Sequence, residues 1–206
     1  MTVSVKCIYF FSVIFLAVTG SESKQKVHVT VYYETLCPDS QRFIKFQLYP
    51  AWKDLRDHLI LEFVPFGKSS GNRFDGFKCQ HGERECRGNL MQSCALSLLN
   101  SSGPQMEFVY CVMSSVDGSQ EGKRCSEKVG ISWAAVDSCT KSTVGTTLQL
   151  MAQEETLKLA PLGLGFVPTI TFNKKYSQQD QRDALQNFRG IACRYLGSPA
   201  PPGCQI

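Results

Sequence analysis

The sequence predicts an α/β fold: a strand–helix–strand unit opens the domain, a cysteine-rich helical stretch interrupts it, and strand and helix close it. Three observations carry this. Val27-His28-Val29-Thr30-Val31-Tyr32-Tyr33 is β-branched and aromatic, the composition of a buried strand. His58 to Phe66 (HLILEFVPF) is a second such run, and between the two Phe43, Phe46, Leu48 and Trp52 recur at helical spacing up to Leu55. Far downstream, Phe166 to Phe172 (FVPTITF) reads as a strand, and Asp180 to Leu196 as a helix with Leu185, Phe188, Ile191, Ala192 and Leu196 on one stripe.

In chain order, residues 1–22 are expected to be a secretory signal peptide. Lys6 precedes the apolar run CIYFFSVIFLAV (residues 7–18), and Thr19, Gly20 and Ser21 supply small residues for a cut near Gly20 to Ser23. That run is too short for a membrane span, which needs about twenty apolar residues, and no later run is long enough either. Residues 23–206 are then one domain. The Gly-rich stretch GKSSGNRFDGF (residues 67–77) reads as a loop. A helical insertion is expected from about 75 to 160. It has helices at Cys94 to Leu99, Met106 to Met113, Ser132 to Cys139 and Thr146 to Leu159, with loops at Gly103-Pro104 and Asp117-Gly118. Asn173-Lys174-Lys175 is a turn, and the Pro-rich tail GSPAPPGCQI needs Cys204 as a tether. The order β-α-β, helices, β-β-α suits one domain with an insertion better than two domains.

Ten cysteines are present, and Cys7 leaves with the signal peptide. The nine that remain belong in an oxidising compartment and should mostly be paired. Nine is odd, so at least one is free or bonded to another molecule. The formal charge of +4 falls to +3 without Lys6, and no Lys/Arg cluster stands behind it. That excludes nucleic acid or an anionic membrane surface as the expected partner.

Cys37 falls at the turn between the first strand and its helix, and Pro38 suits the helix's first turn. The first N–H groups of a helix are unsatisfied and the dipole is positive there, so a thiolate is stabilised. A thiolate can attack a disulfide and form a mixed disulfide. Three residues on, where a dithiol enzyme has its second cysteine, stands Ser40. An alkoxide is neither accessible at physiological pH nor a sulfur nucleophile, so Ser40 cannot resolve the intermediate. It can donate a hydrogen bond to the Cys37 thiolate, and release then waits for an external thiol such as glutathione. The plain alternative is an ordinary Cys37 paired with one of the other eight. Pro168, in a Val-Pro-Thr strand entrance late in this order, suggests the cis-proline of a thioredoxin-like fold, which sets the preceding backbone beside the active cysteine. The alternative is a trans proline at a strand start.

The stretch CQHGERECRGNLMQSC runs Cys79-Gln80-His81-Gly82, two residues, Glu85-Cys86, two residues, Asn89, four residues, Cys94. It resembles the signature of the gamma-interferon-inducible lysosomal thiol reductases, and Tyr32-Tyr33-Glu34-Thr35-Leu36-Cys37 is similar to that family's approach to its active site. The resemblance covers the chain from about Val27 to Cys204. It implies a thioredoxin-like fold with a helical, disulfide-rich insertion, N-glycosylation in the secretory pathway, and reduction of protein disulfides, often in acidic lysosomes, through a C-x-x-C pair. Only Cys37 of that pair is present here, and Ser40 takes the second place.

Cys79, Cys86 and Cys94 with His81 resemble metal ligands, but in a secreted chain disulfides are the expected use, and no metal is assigned. His81 is read either as a proton shuttle near Cys37 or as a hydrogen-bonding residue of the insertion. With Cys37 free, Cys79, Cys86, Cys94, Cys111, Cys125, Cys139, Cys193 and Cys204 make four bridges; Cys111–Cys125 and Cys193–Cys204 are short-loop pairings. Asn100-Ser101-Ser102 is a sequon in an expected surface loop. Two functions follow. In the first, the protein binds a secreted or cell-surface protein on a reductase scaffold whose C-x-x-S site does not support dithiol reduction. In the second, it is a monothiol oxidoreductase acting on protein disulfides through Cys37 with glutathione as donor and no bound cofactor. The destination is extracellular or lysosomal, and a covalent dimer through Cys37 stays open.

Overall fold

The computed structural model describes residues 25–159 and 165–205, so the expected signal peptide at residues 1–22 lies outside the described residues. Strand β1 (Val27–Tyr33) is the middle of a three-stranded sheet. It runs parallel to β2 (Leu59–Pro65), in register from Val27 opposite Leu59 to Tyr33 opposite Pro65. On its other edge it runs antiparallel to β5 (Thr169–Phe172), with Val29 opposite Phe172 and Tyr32 opposite Thr169. A central strand is covered on both faces, which is why β1 reads as a continuous apolar run. Side chains alternate between faces. Val29, Val31 and Tyr33 point into the main core with Phe43, Phe172 and Phe188, and Tyr32 points the other way, against Val64, Phe66 and Ala152.

A parallel pair needs a crossover connection, and here it is helical. It comprises α1 (Pro38–Phe43), a π-helical turn (Ile44–Leu48), α2 (Tyr49–Leu55) and a 3-10 turn (Arg56–His58). The even helix expected up to Leu55 is therefore broken in its middle. Pro50 has no N–H to give the preceding turn, and a wider turn takes up the mismatch. The change in spacing turns Phe46, expected on the apolar face, outward: it is 61% exposed, whereas Phe43, Leu48 and Trp52 are buried.

The stretch from 67 to 77 is more than a loop. It carries a short hairpin, β3 (Ser70–Asn72) against β4 (Gly76–Lys78), turned by Asn72, whose Oδ1 accepts from the N–H groups of Phe74 and Asp75. Five helices follow: α3 (Glu83–Ser97), α4 (Ser102–Met113), α5 (Gly122–Lys128), α6 (Trp133–Thr140) and α7 (Thr143–Leu157). The helix expected from Cys94 begins eleven residues earlier, at Glu83, and α5 was not anticipated. Gly103-Pro104, expected as a loop, lies in the first turn of α4, where a missing proline N–H costs nothing. The expected β-β-α close has a single strand there. The second reduces to one bridge, Phe172 with Lys175, because Asn173 and Lys174 turn with positive φ and the chain leaves at once for α8 (Gln178–Leu196). That last helix is interrupted at Asn187, whose φ of −148° and ψ of 70° are not helical.

Eight cysteines form four disulfides: Cys79–Cys86, Cys94–Cys139, Cys111–Cys125 and Cys193–Cys204. The second joins α3 to α6 across 45 residues, and the last holds the tail to α8. In the chain-entropy view a loop of that length contributes about 4 kcal/mol. Four bridges fit an oxidising compartment. Among the described residues no helix is long and apolar enough to cross a membrane.

Candidate active site

Cys37 is the N-cap of α1, with extended backbone and Pro38 behind it in the first turn. The chain reaches it through a tight turn, in which the Cys37 N–H donates to the Glu34 carbonyl at 3.4 Å and the Gln41 N–H donates to the Cys37 carbonyl at 3.0 Å. Cys37 is the one unpaired cysteine among the described residues, and it is buried. Its Sγ lies 3.7 Å from the carbonyl oxygen of Val167. The Val167–Pro168 peptide bond is cis.

Ser40 does not do what the sequence suggested. It is fully buried, and its Oγ has no hydrogen-bond partner among the described residues, Cys37 included. The Cys37 sulfur has the Val167 carbonyl as its neighbour, and the Ser40 hydroxyl makes no hydrogen bond to it. A second residue, unnoticed in the sequence, sets the Pro168 segment. The buried Gln181 side chain donates to the Pro168 carbonyl at 3.0 Å and accepts from the Ile170 N–H at 2.7 Å. Glutamine on an amphipathic helix gives no sign of such a task, because its partner is backbone from a different element.

The Cys79–Cys94 stretch meets the turn that leads into Cys37. Asn89 Oδ1 accepts from the Thr35 N–H at 2.9 Å and from the Thr35 hydroxyl at 2.7 Å. Gln92 donates to the same Thr35 oxygen at 2.9 Å and accepts from the Tyr33 hydroxyl at 2.7 Å. Gly88 faces Thr35 so closely that a Cβ there would lie 2.6 Å from the Thr35 Cγ2. One face of α3 therefore grips the turn that presents Cys37. Cys79 and Cys86 are bonded to each other and Cys94 to Cys139, so none of the three offers a thiolate to a metal. Gly82 caps α3 with a φ of 81°, and Gln80 is exposed.

His81 joins two buried carboxylates. Its Nδ1 is 2.5 Å from Glu85 Oε2 and 3.6 Å from Glu34 Oε2. Burial pushes the Glu34 carboxyl above the usual range and the neighbouring Glu85 adds to this, against the Lys68 N–H and the His81 ring, which favour the ionised form. His81 thus has a hydrogen-bonding partner within the signature, Glu85, and the Glu34 carboxylate, just after β1, at ion-pair distance. Asn100 is exposed between α3 and α4.

Residues 28–129 match the family model described as gamma interferon inducible lysosomal thiol reductase. A gamma-interferon-inducible lysosomal thiol reductase-like protein of Anopheles gambiae is 39% identical over 197 residues, covering 88% of this chain and 81% of the relative. A gamma-interferon-inducible lysosomal thiol reductase of Carassius auratus is 31% identical, covering 86% of this chain and 72% of the relative. Among solved structures, one from Nitrosomonas europaea, described as a candidate protein disulfide isomerase, superposes with a TM-score of 0.57 at 11% identity. It covers 85% of this chain and all of its own, and at that identity the likeness shows the thioredoxin-like fold alone.

Proposed function

Since the chain belongs to the gamma-interferon-inducible lysosomal thiol reductase family, we propose that it keeps the family's capture step at Cys37 and lacks its resolving step, so that it binds a protein partner rather than turning over as a dithiol reductase. One observation carries this: with Ser40 in the second position, the other eight cysteines are consumed in four disulfides, and the described chain holds no second free thiol.

In the capture step the Cys37 thiolate attacks one sulfur of a partner's disulfide. The partner's S–S bond breaks, a Cys37–sulfur bond forms, and the displaced sulfur leaves as a thiolate that takes up a proton. In a dithiol enzyme a neighbouring thiolate then attacks Cys37, freeing the partner fully reduced. Ser40 has no such chemistry. The Val167 carbonyl lies beside Cys37 in the buried approach to β5, so the captured sulfur would sit against the cis-proline segment. The partner's class is a secreted or cell-surface protein with an accessible disulfide, met outside the cell or in lysosomes. The four bridges and the exposed sequon at Asn100, a proposed glycan site, support that route.

The second reading is a one-thiol cycle. Two glutathione molecules act in turn, the first releasing the partner from Cys37 and the second regenerating the thiol as oxidised glutathione forms. The unpaired state of Cys37 favours it. Steady-state reduction of a disulfide protein with glutathione, at neutral and acidic pH, tests the proposal against this reading. The proposal expects the natural protein to be inert and Ser40→Cys to turn over. Repeated turnover by the natural protein would establish the one-thiol cycle instead.

A further inference from the structure

The signature segment and the end of β1 bring together three potential ligands that the thiol chemistry does not use. Glu34, His81 and Glu85 each offer one ligand atom, a carboxylate oxygen or a ring nitrogen, and these atoms all lie within 4.8 Å of one another. We propose that Glu34, His81 and Glu85 form a binding site for one divalent transition-metal cation of the zinc class, which pins the turn before Cys37 to the signature segment.

The two carboxylates are pre-oriented. Glu34 Oε1 accepts from the Lys68 backbone N–H at 2.6 Å, and Glu85 Oε1 accepts from the His81 backbone N–H at 3.0 Å. Each glutamate is thus tied at one oxygen, and its other oxygen faces the His81 ring. Backbone N–H groups holding ligating carboxylates are the usual outer support of a metal site. Gly67 completes the cradle: it adopts a φ of +58°, and a Cβ there would come within 2.4 Å of Glu34 Cγ.

A second observation points to a ligand. Both glutamate side chains are fully buried, and Glu34 Oε2, directed at His81, accepts no hydrogen bond among the described residues. Two buried carboxylates against one imidazole are under-compensated, because an ionised carboxylate is costly to bury without a counter-charge. A divalent cation supplies the missing positive charge. Zinc takes imidazole nitrogen and carboxylate oxygen at about 2.0–2.2 Å, which sets neighbouring ligand atoms on the order of 3.3 Å apart. The His81–Glu85 contact has to open from 2.5 Å, and Glu34 at 3.6 Å has to move only slightly. The His81 side chain is 31% exposed, giving an ion a way in and a face for water as fourth ligand. Nitrogen and carboxylate donors without thiolate suit zinc, manganese, iron or cobalt in the divalent state, not monovalent copper.

The test is calorimetric titration of the folded full chain with Zn2+ at neutral pH, in a Cys37→Ser background so that the free thiol takes no part. The expected result is one ion per chain, with affinity reduced about tenfold or more by Glu34→Gln or Glu85→Gln and lost in His81→Ala, while circular dichroism stays native. The glutamines keep the shape of the site, and His81 is partly exposed, so at least one variant reads out binding in a folded protein. Co2+ provides a second readout: visible d–d bands without thiolate charge transfer. No stoichiometric binding, or binding unchanged in His81→Ala, overturns the proposal.

Discussion

Asn89 holds Thr35 by two hydrogen bonds to a single oxygen, from the backbone N–H at 2.9 Å and the hydroxyl at 2.7 Å, and all these groups are buried. Thr35 stands two residues before Cys37, so α3 fixes the turn that presents the sulfur. Asn89→Ala leaves two buried donors of Thr35 without that acceptor, each costing about 1–3 kcal/mol. Urea unfolding of Asn89→Ala should show a loss of roughly 2–6 kcal/mol, and alkylation of Cys37 should speed up as the turn loosens.

Two glycines separate close packing from open surface. At Gly88 a Cβ meets Thr35, whereas at Gly103, in the first turn of α4, it meets nothing within 4 Å. Gly88→Ala should destabilise by about 1–3 kcal/mol, the range for overpacking. Gly103→Ala should be neutral or stabilise by up to about 1 kcal/mol, through the unfolded chain's lost freedom. Thermal melts of the two variants side by side check both signs.

The orphaned hydroxyl of Ser40 makes a prediction of its own. A buried polar group without a partner is destabilising by about 1–3 kcal/mol relative to a satisfied or apolar one. Ser40→Ala should therefore raise stability by roughly 1 kcal/mol, read as a higher urea midpoint at unchanged slope. A loss would mean that the hydroxyl does find a partner in solution.

Asp180 sets an acid limit. Burial alone would push its carboxyl up, but hydrogen bonds from Tyr195 and Arg194, with the Arg194 charge, outweigh this and hold it below the usual carboxylate range. A depressed carboxylate contributes stability that is present above its unfolded pKa and is lost as pH falls through its folded pKa. Asp180→Asn should lower stability at neutral pH by about 1.5–3 kcal/mol, the scale of hydrogen bonds to a charged group. It should also flatten the fall in melting temperature expected of the natural protein below about pH 4.

Much of this was legible because it is local. The Val27–Tyr33 run, Pro38 after Cys37 and the short spacings of Cys111–Cys125 and Cys193–Cys204 state their roles within a few residues. The interrupted crossover helix escaped because Phe46 keeps an apolar spacing that the Pro50 break makes irrelevant. The break at Asn187 escaped because its neighbours still form an apolar stripe. At the site, His81 and Glu85 are four residues apart and their pairing can be read from the signature, but Glu34 arrives from the end of another strand, and the hold of Gln181 on Pro168 depends on backbone from β5 and its approach. The missing Ser40–Cys37 hydrogen bond was not legible either, because the sulfur's neighbour is a Val167 carbonyl 130 residues away.

The most direct test of the account is a single exposure of reduced protein to a disulfide peptide with no other thiol present, followed by intact mass spectrometry. The account predicts that the natural protein accumulates a persistent mixed disulfide mapping to Cys37, and that Ser40→Cys instead releases both peptide thiols and ends with an internal disulfide. Fully reduced peptide released by the natural protein, or no adduct at Cys37, would contradict it.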